Sequence, residues 1–380
     1  MLELAALALN EGVRLPKDQK PKSFKQPNSS GGAPSREETL LQQLETGSEA
    51  EASEAIRGLA ALGGAVNHQR LGEIMKDEGW SDALRTDAAL ALLETGKAAD
   101  ARRAVRELAV IGGDANTGRL DGIVKDAALS KDLRLEAALG LGIIGTPRAA
   151  DALIDAFATF SDPQTQEQLL EPLGRFPFPQ IEATWREFLA DPNTSNQLRV
   201  AAVDALSNSS PESLPFLKTL AASDRDPKVR EMSAWAISVQ GQNGSLGPEL
   251  ARMTTSEREP DVRRRLYEAL LAQAANPAES LLPQIRNETD IAARMAGFNA
   301  VGDAVKRNAT PGLTATFNAH IVPELTQVAL SSESLNIRMR AVFALRRADT
   351  PAARQALLEI SQTQTPQIAS AASHGLKASK

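Results

Sequence analysis

Three histidines are the first place to look for chemistry in this chain of 380 residues. His68, His320 and His374 are far apart, and none has a second His or a carboxylate at the spacing that holds a metal. There is no cysteine, which excludes disulfides, thiolate metal sites and cysteine nucleophiles together. No Ser stands in a Gly-x-Ser-x-Gly elbow, and no Gly-x-x-x-x-Gly-Lys loop offers a phosphate cradle. Gly63-Gly64 and Gly112-Gly113 follow helical stretches rather than strands, so they read as helix stops. Glu37-Glu38 reads as first-turn charge favouring a helix N-terminus. The expectation is a chain without catalytic residues, metal or cofactor.

What remains is the chemistry of recognition. Trp235, Arg264, Tyr267, Glu268, Asn299 and Phe343 form an uneven column of large and charged side chains in the C-terminal half. Trp, Tyr and Arg dominate the energetics of protein interfaces, so these six are the candidate partner-binding residues. Large aromatics in helical proteins more commonly fill core gaps, and that reading competes with the first.

A second set recurs too regularly to be a ligand site. Arg134, Arg199, Arg230, Arg263, Arg294 and Arg338 head successive copies of one segment, such as DPKVREMSAWAISVQG (226–241). Most steps are 31 to 33 residues, with Gln166 in the Arg slot of the copy between Arg134 and Arg199. Taking the Arg as origin, offsets −1, +3 and +7 carry Val, Leu, Ala and similar residues. Those offsets share one helical stripe and predict the core between layers. Offset +5 varies in chemistry and predicts the outward column named above. A Pro opens several Leu-rich segments upstream, at Pro215, Pro248, Pro283 and Pro323, and predicts helix first turns.

The elements that would position these residues are repeats. An offset of 49 carries Leu44-Glu45-Thr46-Gly47 to Leu93-Glu94-Thr95-Gly96, Arg57 to Arg106 and Lys76-Asp77 to Lys125-Asp126. Each such unit has room for three helices. The expected organisation is a short helix and flexible Pro/Lys/Ser linker over 1–35, and two three-helix units with a connecting helix over 36–146. About seven helix pairs follow over 147–380, with an insertion near 307–316. The linker composition cannot bury a core and serves at most as a tether.

Composition agrees with helices. Aromatic residues make up 4% of the chain, and Ala and Leu recur throughout. Lys and Arg number 42 against 48 Asp and Glu, a formal charge of −6, which argues against nucleic acid as the partner. No apolar run approaches the roughly 20 residues of a transmembrane helix. The lack of cysteine leans toward an exported, periplasmic setting, with a cytoplasmic one still open.

The turn-plus-helix pattern Asp226-Pro227-Lys228-Val229-Arg230 and its sister copies resemble HEAT repeats, from about Arg36 onward. The 49-residue units look closer to armadillo-like ones. The resemblance implies an all-α, right-handed α-α superhelix whose repeated Arg pairs with the turn Asp of an adjacent layer, here Asp226, Asp261 and Asp290. It also implies a protein or peptide partner held along a concave face. Bilin lyases and DNA glycosylases built from related repeats supply the alternatives, a small-ligand site or a basic nucleic-acid groove. Only Arg263–Arg265 and Arg346–Arg347 approach such a groove.

Overall fold

The computed structural model describes residues 34–377, apart from 96, 242–243, 245, 274–275 and 308–309. The helix expected over 2–13, and the linker up to residue 33, lie outside the described residues. The remainder divides into two compact units that meet in sequence at Ser161 and Asp162. Every regular element among the described residues is helical.

Helix starts in the first unit are written in its caps. Ser35 accepts the Glu38 N–H while the Glu38 carboxylate accepts the Ser35 N–H, opening α1 (Arg36–Thr46). Ser48 and Glu51 repeat that box for α2 (Glu49–Leu62). Then come α3 (Gly64–Lys76) and α4 (Asp82–Glu94). The trio recurs 49 residues on as α5 (Ala98–Ile111), α6 (Gly113–Lys125) and α7 (Lys131–Ile144), and α8 (Pro147–Thr159) closes the unit. One residue separates α2 from α3 and α5 from α6. These reversals require Gly63 and Gly64 at φ 66 and 84, and Gly112 and Gly113 at φ 73 and 80. A side chain at such φ is strained, which is why both pairs are glycine.

The second unit stacks helix pairs. Its helices are α9 (Pro163–Gly174), α10 (Phe178–Ala190), α11 (Asn196–Leu206), α12 (Leu214–Ser223), α13 (Pro227–Gln240), α14 (Gly247–Ser256), α15 (Pro260–Leu271) and α16 (Ala278–Arg286). They continue as α17 (Ile291–Arg307), α18 (Pro311–Thr316), α19 (Val322–Ser331), α20 (Leu335–Ala348), α21 (Pro351–Ile360) and α22 (Pro366–Lys377). The Arg-bearing helices α11, α13, α15, α17 and α20 pack in series, with α9 before and α22 after them. The first helices α10, α12, α14, α16, α19 and α21 back α11, α13, α15, α17, α20 and α22 pair by pair. A π turn, Phe317–Ile321, joins α18 to α19 and takes up residues that the other pairs lack.

The core follows the predicted stripe. Val229, Ser233 and Ile237 of α13, Val262, Leu266 and Leu270 of α15, and Ala341 and Leu345 of α20 are all buried. The +5 positions Leu90, Leu139, Asp204, Trp235, Glu268, Asn299, Phe343 and His374 are each partly or fully exposed. One Pro departs from expectation. Pro283 lies inside α16, because the buried Asn276 accepts the Ala278 N–H and starts the helix five residues earlier. Pro215, Pro248 and Pro323 do stand in first turns.

Candidate functional site

The repeated arginines come first, because they fix the layers on which the outer column stands. Each lies at the start of a second helix, where its guanidinium can reach the carbonyls that end the first helix of its own pair. Arg134 Nε donates to Val124 O (2.7 Å), Arg199 Nε to Leu189 O (3.1 Å) and Arg338 Nε to Ala329 O (2.6 Å). Arg230, Arg263 and Arg294 reach carbonyls six residues back through Nη1: Asp224 O, Glu257 O and Glu288 O. The other donors point to the next layer. Arg199 meets Asp224 (2.5 Å), Arg230 meets Glu257 (2.7 Å), Arg263 meets Glu288 (2.6 Å) and Arg294 meets Glu324 (3.0 Å). Asp224, Glu257 and Glu288 thus each give a side chain to one Arg and a backbone carbonyl to the next. The result is a continuous ladder.

The ladder corrects the expected acids. Asp226 and Asp290 cap their own helices, accepting the Lys228 and Ala293 N–H groups (2.7 and 2.8 Å). Asp261 is a first-turn residue that lies 3.7 Å from Lys228 and 3.6 Å from Arg264. Among the described residues, none of these three acids pairs with a ladder arginine; Asp261 reaches the neighbouring layer only at Lys228. Among the described residues, two of these arginines meet no carboxylate: Arg338 donates to Thr365 Oγ1 (3.0 Å), and Arg134 stacks over Phe160 at 5.3 Å.

Burial alone would raise the Glu257 carboxyl. The Arg230 guanidinium and the backbone N–H groups of Glu259 and Arg258 outweigh it and hold the group below 4.5. Glu288 is likewise penalised by burial, and Arg263 with the Asp290 and Thr289 N–H groups brings it below 4.5. The stability these groups add is fully present above pH 4.5 and is lost as pH falls through their lower folded values. Thermal melts should therefore drop in stability below that pH. Glu257→Gln/Glu288→Gln should start from a lower melting temperature at neutral pH and fall less on acidification. Parallel curves for the two proteins would contradict this.

The outer column is partly joined by hydrogen bonds. Arg264 of α15 donates to Glu231 of α13 (2.9 Å), and lies 3.5 Å from Glu268. Glu268 also accepts from Arg265 (2.8 Å) and from Arg340 of α20 (2.7 Å), the last reaching past α17. Burial opposes ionisation of Glu268, but Arg340 and Arg265 more than offset it and leave the carboxyl below its ordinary value. Trp235 is half-buried and one helical turn beyond Glu231, so it shares that face. Asn299 accepts from Arg347 Nε (3.0 Å), and Phe343, 41% exposed, lies under Arg346 at 5.6 Å.

Tyr267 is the exception and a second correction. It is 0% exposed, and burial pushes its hydroxyl above the ordinary tyrosine range. Standing at +4 from Arg263, it is turned about 100° from Glu268 and falls on the core stripe. Sequence reading also missed Glu231 and Arg340. Their spacing of i, i+4 to Trp235 and i, i+3 to Phe343 was the available signal. Among the described residues, no group of three or more His, Cys, Asp or Glu is placed to hold a metal, and no helix is long and apolar enough to cross a membrane.

Comparison with known proteins gives this arrangement a family. A profile described as HEAT repeats matches residues 157–238 and 183–271, across the ladder of α11, α13 and α15. Residues 157–271 carry HEAT repeats, and the described helices have the fold class of a HEAT-like α-solenoid. A second profile, the PBS lyase HEAT-like repeat, matches residues 133–159, which cover most of α7 and all of α8. No curated protein sequence matches.

Among solved structures the HEAT solenoid is similar in fold to Kap121p. The identity is 13%, with 89% of this chain and 45% of that chain covered at a TM-score of 0.52. It is likewise similar to the karyopherin Kap121p bound to the extreme C-terminus of the protein phosphatase Cdc14p, at 12% identity. There the coverage is 90% of this chain and 44% of that chain, with a TM-score of 0.50. The chain spans less than half the length of these structures.

Proposed function

We propose that this HEAT solenoid is a non-catalytic scaffold that binds a protein or peptide along the face formed by α13, α15, α17 and α20. The observation that carries the reading is the Glu231–Arg264–Glu268–Arg340 network. It braces long charged side chains across successive layers next to the half-exposed Trp235 and the exposed Phe343. Arginines held in place by partners lose less freedom on binding than free ones, and the aromatic neighbours supply apolar area at small entropic cost. Kap121p, of similar fold, holds the extreme C-terminus of Cdc14p, which is a use of the same architecture.

The test is affinity capture from the native host. The wild type is set against Trp235→Ala/Arg264→Ala and a control, Arg252→Ala, which changes an exposed residue of α14. Specific partners should be lost with the double variant and kept with the control. An unchanged set of captured proteins would show that this face is not the binding surface.

A further inference from the structure

The whole chain is acidic, yet its last stretch is not. From residue 291 to the end there are ten Lys and Arg against five Asp and Glu. Much of that excess converges on one depression of about 690 Å³ between the C-terminal ends of α17, α20 and α22. Lys306 and Arg307 enter from α17, and Arg346 and Arg347 from α20. Cations in a last helical turn favour the helix dipole, which accounts for each pair on its own helix. It does not account for both pairs meeting beside an exposed Phe343.

The two carboxylates of the depression are already engaged. Asp303, 3% exposed, accepts from Arg307 Nε (3.1 Å) and Asn276 Nδ2 (3.3 Å) and lies 3.6 Å from Arg347 Nη1. It acts as an internal anchor that sets two guanidinium groups side by side. Asp349 pairs with Arg354 (2.8 Å) and lies 3.9 Å from Lys306. Arg346 meets no carboxylate among the described residues. Its stem crosses Gly375 so closely that a Cβ there would stand 2.5 Å from its Cγ, and its head lies over Phe343.

We propose that this cleft binds an acidic peptide segment carrying apolar side chains, its carboxylates paired with Arg346 and Arg347 and an apolar group on Phe343. The inference rests on the scaffold reading above and names the chemistry of its partner. Charge complementarity selects the occupant: four cations line the depression against two carboxylates, an excess of two positive charges around an aromatic ring. A nucleic acid fits less well, because a polyanion with one charge about every 1.7 Å along its axis calls for an extended basic stripe.

The experiment is fluorescence anisotropy with the full chain and a short fluorescein-labelled peptide of alternating Glu and Leu. Its Lys/Leu counterpart and a single-stranded oligonucleotide of similar length run alongside. The acidic peptide should bind, more weakly as salt rises, and the basic one should not. Arg346→Glu/Arg347→Glu should weaken it about tenfold or more, and Phe343→Ala by a smaller factor. Arg252→Glu, with the same kind of charge change on α14, should leave it unaltered, and melting curves should show the variants folded. Equal binding by wild type and the Arg346/Arg347 variant would overturn the proposal. So would an oligonucleotide that binds as tightly as the peptide and is lost in the same variant. If the cleft fails while capture still depends on Trp235 and Arg264, only the acidic specificity is wrong. If both fail, the scaffold reading falls too.

Discussion

Asp224→Ala should destabilise the second unit by about 3–5 kcal/mol, the scale for removing one partner of a buried ion pair. Arg199 is 3% exposed, and its Nη2 lies 2.5 Å from Asp224 Oδ2, itself in a side chain only 7% exposed. Alanine at 224 would strand a guanidinium that has no access to water, and its Nη1 already lacks a hydrogen-bond partner. The neighbouring Asp226→Ala removes a helix cap and should cost about 0.5–2 kcal/mol. Urea denaturation of the two variants separates the readings. If Asp226→Ala proved the costlier change, the ladder would run through the turn acids after all. Replacing both members, Arg199→Met with Asp224→Leu, should recover much of the loss, because a buried pair exchanged for apolar side chains leaves no charge unpaired.

That contrast also shows where the sequence is legible. The Arg slots and the stripe at −1, +3 and +7 are visible because burial imposes helical periodicity on residue type, and the structure buries Val229, Ser233 and Ile237 accordingly. The partner of each Arg is hidden because it is a layer contact, set by where a first helix ends. Glu257 stands 27 residues after Arg230, whereas the conspicuous Asp226 precedes it by four and is consumed by capping. For the outer column the limit is angular. Tyr267 and Glu268 are adjacent in sequence, but one residue of helix separates the core from the surface. Arg340 escapes notice for another reason: its bond to Glu268 joins residues 72 apart and reaches past the intervening α17.

Two glycines give the second large effect, and here two physical rules disagree in sign. Gly174 of α9 and Gly302 of α17 both stand eight residues after an Arg-slot position, Gln166 and Arg294. Helix propensity alone says that Ala at either should gain up to about 1 kcal/mol. Packing says the opposite. A Cβ on Gly174 would stand 2.4 Å from Ala205 O and 2.7 Å from the carbonyl carbon, and one on Gly302 would stand 2.8 Å from Ala344 O. Ala205 and Ala344 are equivalent in their repeats, each six residues after the Arg of the next second helix. Backbone cannot yield as a side-chain tip can, so α9 would have to move from α11, and α17 from α20. Overpacking of that kind costs about 1–3 kcal/mol, and Gly174→Ala, with the shorter contacts, should be the worse. Gly122 on α6 meets nothing within 4 Å, so Gly122→Ala should follow propensity and stabilise the first unit. Thermal melts of the three variants decide the matter: a rise for Gly302→Ala would show that α17 and α20 have slack. Absent slack, displacing α20 by even a few tenths of an ångström would draw Arg347 away from Asn299 and Asp303. Gly302→Ala should then loosen the basic cleft as well as the layer contact that supports it.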